Sequence, residues 1–315
     1  MKKFILLIIV TFIFAKEIIH PTKKITFDYY ISKIAYNKKY LVAGLENGKI
    51  VIKDFNNFKT IDTITLPKIH DFMGDLIPMP IYSLDLLKDK LLILAEGEEA
   101  KREVFIYDLK SKKLSSIFTT KNTLIKANFI TKNKIFFSLL SDEAMLYDLK
   151  NKKIIYKTQV GNYVFSTHVI NESKTLAVFG DESGSLKIVD IKTGKKIKEI
   201  KGFNKDKTLS IDIQKNLVIN GSSDKRIGIY NIKNGYLKVT LNSTFLPYAV
   251  TLNPNLNNFA FQYDEKNSIA VFSMYKKFLF LLKGHKMALN GIKYIDSKTI
   301  ISFSPSEILI WKIKE

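Results

Sequence analysis

The chain has 315 residues, 46% apolar and 25% charged, with 50 Lys and Arg against 30 Asp and Glu for a formal net charge of +20. Abundant Ile, Leu, Val, Phe and Tyr exclude disorder, while 14 Gly, 7 Pro and no Cys exclude collagen-like and disulfide-stapled architectures. The absence of Cys also removes thiolate-bound zinc, iron–sulfur clusters, covalent c-type haem and any cysteine nucleophile.

Met1-Lys2-Lys3 is a short positive head, Phe4 to Phe14 is apolar except for Thr11, and Ala15 supplies a small residue for cleavage. Residues 1–15 therefore read as a secretory signal peptide, because the apolar run is well short of the roughly 20 residues of a membrane-spanning helix. Ile13 at the minus-three position leaves an uncleaved anchor as the alternative. The expectation is a periplasmic chain that starts near Lys16, has no membrane-spanning segment and, having lost Lys2 and Lys3, carries +18.

After Lys24 the sequence falls into short strands with alternating apolar and polar residues, separated by turns of Asn, Gly, Asp and Lys. One strand type recurs seven times, ending at Asp54, Asp108, Asp148, Asp190, Asn231, Ser273 and Lys312. The steps are 54, 40, 42, 41, 42 and 39 residues, which fits one four-stranded antiparallel blade per repeat in an all-β, seven-bladed β-propeller. Residues 16–315 are thus expected to form one domain. In the fourth repeat, Val164 to Ile170, Thr175 to Gly180, Leu186 to Ile191 and Lys196 to Ile200 supply the four strands in order. The chain stops three residues after Lys312, so the seventh blade has only three strands of its own. Thr22 to Phe27 is predicted to pair with Ile308 to Ile313 and close the ring, which also protects an open sheet edge.

These repeats resemble the WD40 propellers. Tyr107-Asp108, Tyr147-Asp148 and Val189-Asp190 stand where that family places Trp-Asp, and Gly284-His285 precedes Trp311-Lys312 by 27 residues, as its Gly-His does. The resemblance implies that His285, Ser302 or Ser304, and Trp311 belong to a buried hydrogen-bonded set, with no Asp in the intervening turn to complete it. As an exported, cysteine-free, lysine-rich propeller, the chain is also similar to the NapL-type accessory proteins of bacterial periplasmic nitrate reductase systems. That similarity implies support of assembly or electron transfer through a protein partner, a component of a periplasmic respiratory complex.

The sequence offers little chemistry. Its four His, at 20, 70, 168 and 285, are far apart and show no metal-ligand spacing, and neither a phosphate-binding glycine loop nor a Gly-x-Ser-x-Gly elbow is present. No catalytic residue, cofactor or metal is assigned. His168, on an inner strand, is expected to be a hydrogen-bonded residue of the channel or of a blade interface.

The 54-residue step marks the departure from the repeat. It holds one insertion from Pro67 to Pro80 and another from Glu96 to Glu103, which an up-and-down blade projects from the same face. Long loops on a rigid frame commonly bind partners. The expected protein-binding surface comprises His70, Asp71, Phe72, Met73, Asp75, Leu76, Ile77 and Met79 with Glu98, Glu99, Lys101 and Arg102. The alternative is an insertion that folds back and buries its own apolar residues; a further one is a metal site from His70, Asp71, Asp75, Met73 and Met79, whose His and Met would suit copper(I), without a spacing that makes it specific.

Charge sorts by the same topology. Turns between second and third strands carry an acid in every blade, including Glu46, Asp142, Asp181, Asp224 and Glu307, and the opposite turns collect lysines, predicting an electrical dipole across the disc. A lysine face that binds anionic membrane or polymer is a second functional class, and an enzyme with an unrecognised site on a propeller face is a third. Nucleic acid is not expected: only Arg102 and Arg226 provide the bidentate guanidinium fork that reads bases and phosphates.

Overall fold

The computed structural model describes residues 17–313, so the segment read as a signal peptide, residues 1–15, lies outside the described residues. The fold is a WD40-like seven-bladed β-propeller. Blade four has the strands Phe165–Ile170, Leu176–Asp181, Leu186–Asp190 and Lys196–Ile200, hydrogen-bonded in sequence order and antiparallel throughout. The other blades repeat this meander from the channel outward. The third and outer strands slip register by one residue in successive blades, for example at Ile188/Val189 and Ile229/Tyr230. Such bulges deepen the right-handed twist that gives each sheet its propeller pitch.

The second strands are apolar on both faces rather than alternating. Leu91, Leu92, Ile93, Leu94 and Ala95 are all fully buried, because each blade packs against a neighbour on either side. The core therefore lies between blades. Phe136 and Leu146 of blade three share one cluster with Phe165, Phe179 and Val189 of blade four, and burying each such side chain contributes roughly 1.5–3 kcal/mol. At Gly180 a Cβ would sit 2.5 Å from Thr208 of the next inner strand, and at the matching Gly221 2.7 Å from Val250. Glycine there sets how closely blades approach.

The ring closes as the strand count requires: Lys23–Thr26 runs antiparallel beside Glu307–Lys312, with Ile25 opposite Ile308 and buried. One strand was not anticipated. Glu17–Ile19 adds to the outside of blade six, parallel to Phe278–Leu282, so the first described residues cover that blade's edge before the chain crosses to blade seven.

Candidate functional site

The first insertion folds into a small hairpin, Lys68–His70 paired with Leu76–Pro78. Asp71 shapes its turn: the carboxylate accepts the N–H groups of Met73 at 2.8 Å and Asp75 at 2.9 Å, and Gly74 takes a φ of +87°, which glycine adopts without steric cost. One side of the hairpin is anchored, with Ile69 and Met79 buried in the core shared by blades one and two. The other side projects Phe72, Met73 and Leu76, with relative exposures of 101%, 81% and 54%.

The second insertion forms a 3-10 turn, Glu98–Ala100, in which Glu99 and Ala100 both have left-handed φ values. It lies beside the hairpin, as the topology predicted. The Glu98 carboxylate accepts the backbone N–H of His70 at 3.1 Å and faces His70 Nδ1 at 3.3 Å, while Lys101 pairs with Glu99 at 2.8 Å. His70, Asp71, Asp75, Glu98, Glu99 and Lys101 therefore frame the exposed apolar tip, and Ile77 is half-buried at its base.

Two expected members are not available to a partner. Met79 is 1% exposed, because the chain must turn inward there to begin the inner strand of blade two. It therefore cannot join His70 and Met73 as a surface thioether ligand. Arg102 is 8% exposed: its guanidinium lies 4.1 Å from the centroid of the Tyr82 ring and donates to the carbonyls of Ala100 and Leu124 at 3.0 and 3.2 Å. It ties the second insertion to blade three and serves packing.

Sequence reasoning missed other exposed groups on this face. Tyr29 and Tyr30, Tyr163 and Val164, and Tyr248 stand in the connections that lead into blades one, four and six, and Leu140 is in a neighbouring turn; all are exposed. Their signal is an aromatic residue in each of three inter-blade connections, outside any strand.

The acid ring is only partly a surface feature. Asp142 and Asp181 are fully buried around the equally buried Lys187, and Glu307 is 1% exposed. Glu307 lies 3.6 Å from His285 Nδ1 and also contacts Lys24 of the closing strand at 2.5 Å. Ser302 accepts Trp311 Nε1–H and pairs with His285 Nε2, both at 2.7 Å, so Ser302 rather than Ser304 completes the set and Glu307 fills the acidic position. Burial holds His285 well below the ordinary imidazole range, at about 4, despite the nearby carboxylate. Blade five repeats the arrangement with Asn204, Ser222, Asp224 and Tyr230: Asn204 donates to Ser222 at 2.6 Å and accepts from the Tyr230 hydroxyl at 2.7 Å. Substituting Asn for His and Tyr for Trp hid this set in the sequence.

His168 is buried between blades three and four, hydrogen-bonded to Ser138 and Asn128 at 2.8 Å each and stacked on Phe179. Among the described residues, no three His, Asp or Glu side chains converge in a way that would hold a metal ion.

On the opposite face the lysines flank the turns, but Asp89 and Asp108 sit among them. Asp108 accepts the N–H groups of Lys110 and Ser111 and contacts Lys90, which holds its carboxyl far below the usual range. These contacts place carboxylates among the lysines of that face. Lys88, Lys90, Lys110 and Lys132 border a 760 Å³ groove between blades two and three, with Leu87 and Ile106 in its wall.

No helix among the described residues is long and apolar enough to cross a membrane. No protein-family profile matches the chain, and no curated protein matches it. Among solved structures it is similar to the β-propeller domain of Cps50 (Swd1) from Myceliophteria thermophila, with a TM-score of 0.74 over 93% of this chain and 99% of that one. At 15% identity this likeness establishes a shared WD40-like propeller fold.

Proposed function

We propose that this chain is an exported, non-catalytic propeller scaffold that docks a protein on the face bearing the blade-two insertions. The observation that carries this reading is the solvent-facing tip Phe72, Met73 and Leu76, held on a hairpin whose base is locked into the core and whose flank is clamped by Glu98. Exposed apolar groups on a pre-shaped frame cost little ordering entropy when a partner covers them, which suits an interface centre. Tyr30, Tyr163 and Tyr248 extend the apolar character of this face, and Glu46, Glu99 and Glu182 favour a basic partner.

The signal-like residues 1–15 support a periplasmic location, and the resemblance to NapL-type proteins extends the proposal to a component of a nitrate-respiring complex. Affinity purification from cells grown on nitrate tests both levels. Recovery of a partner that is lost in a Phe72→Ser, Met73→Ser variant of unchanged melting temperature supports the docking site. Undiminished recovery by that variant refutes the site, and a partner unrelated to respiration refutes the narrower assignment.

A further inference from the structure

The inner strands enclose a central cavity of 440 Å³. Strand pairing places their residues in levels. Lys33 opposite Gly44, Ser83 opposite Leu94, Lys126 opposite Ser138, Thr167 opposite Gly180, Ser210 opposite Gly221 and Gly291 opposite Phe303 occupy the same step in their blades. Two ammonium groups thus share one level of the channel, that of Lys126 in the cavity wall and that of the exposed Lys33. Two residues further along the strands, Asp85, Asn128, Asp212 and Lys293 make up the next level.

The carboxylates are already engaged. Asp212 contacts Lys293 and accepts the Thr251 hydroxyl at 2.7 Å and the Leu252 N–H at 3.0 Å. Asp85 accepts the Phe129 N–H at 2.7 Å, and burial raises its carboxyl to about 6, which leaves it mostly ionised near neutrality. The cations are less well matched. Lys126 donates one proton to the His168 carbonyl at 2.7 Å, and the Lys33 amine has no hydrogen bond or ion pair among the described residues. Burial followed by the field of Lys33 lowers Lys126 to about 8, so these two amines sense each other across the channel.

We propose that the level of the central channel formed by Lys33 and Lys126 binds a small oxyanion carrying two negative charges, of the class of hydrogen phosphate or a short dicarboxylate. Lys33 and Lys126 supply two ammonium groups that have no ion pair among the described residues, the Thr167 hydroxyl supplies a neutral donor, and Lys293 stays occupied by Asp212. Lysine suits this task as a mobile point charge that needs no bidentate geometry. The low-dielectric walls strengthen the attraction relative to open water. This site is independent of the docking face.

Calorimetric titration of the mature chain with sodium phosphate, and separately with succinate, at ionic strength fixed by sodium chloride, tests the proposal. The expected result is saturable one-to-one binding of at least one probe, weakened by about tenfold or more in Lys33→Met and in Lys126→Met. Lys132→Met, on the outer face, should bind as the parent does. Because Lys33 supports no other group, Lys33→Met decides the matter even if Lys126→Met fails to fold. A preference for phosphate or for succinate identifies which member of the class fits. Absence of saturation with both probes, or unchanged affinity in Lys33→Met, overturns the proposal.

Discussion

Replacing Lys187 by Met removes the cation that lies between two fully buried carboxylates while preserving the length and packing of its stem. Lys187 is 2% exposed; it contacts Asp181, lies 3.6 Å from Asp142 Oδ2 and sits 5.9 Å from the centroid of the Tyr163 ring. At 3.6 Å, with an effective dielectric constant near 20, the Asp142 attraction alone is worth about 5 kcal/mol before desolvation is subtracted. Breaking such a buried arrangement costs about 3–5 kcal/mol, because the charges left behind cannot return to water. Unfolding entropy for a chain of this size is about 0.6 kcal/mol per kelvin, so the melting temperature should fall by about 5–8 °C at pH 7.5. Burial already raises Asp142 against the pull of Lys187, and loss of the amine raises it further. The folded variant then binds protons more readily than the unfolded chain, so its deficit shrinks as pH falls toward 5. Adding Asp142→Asn removes one stranded charge and should recover part of the loss. Differential scanning calorimetry across pH reads all three outcomes. A Lys187→Met melting temperature within about 1 °C of the parent, or a deficit that widens in acid, would refute the reasoning.

Ser302→Ala strands the Trp311 N–H and His285 Nε2 in the core and should cost about 1–3 kcal/mol, measurable as a shift in urea midpoint. Because His285 titrates at about 4 when folded and near 6.5 when unfolded, the unfolded chain takes up its proton first as pH drops. This residue therefore withdraws stability between pH 6.5 and 4, by about 2 kcal/mol at pH 5, and a His285→Gln variant should show a correspondingly flatter acid limb in urea titrations. Lys112 and Lys152 adopt φ values of +55° and +50° at the turn positions where Gly194 and Gly235 stand in blades four and five. Lys112→Gly and Lys152→Gly should each stabilise by up to about 1 kcal/mol in denaturant unfolding, and a destabilisation would show that the lysine side chains hold those turns.

The blade count, the strand order and the closing strand were legible because they follow from a covalent regularity: a period near 41 residues and a final repeat one strand short. The adjacency of the two insertions followed from the same regularity, since strand direction alone fixes which turns share a face. Their inward and outward sides did not. Phe72 and Met79 look alike as apolar loop residues, and only the point at which the backbone enters blade two separates an exposed tip from a buried base.

Charge shows the same division. Composition established a basic chain with an acid in each second turn, a pattern set by local turn chemistry. Tertiary packing decided that Asp142, Asp181 and Glu307 serve the interior, that Arg102 braces a loop, and that Lys33, Lys126 and Lys293 meet around a channel although blades one, three and seven are far apart in sequence. The sequence by itself determined the repeating frame, because each blade is built from local hairpins. Which polar side chains face one another is a property of ring closure, since those contacts form between residues that no local spacing relates.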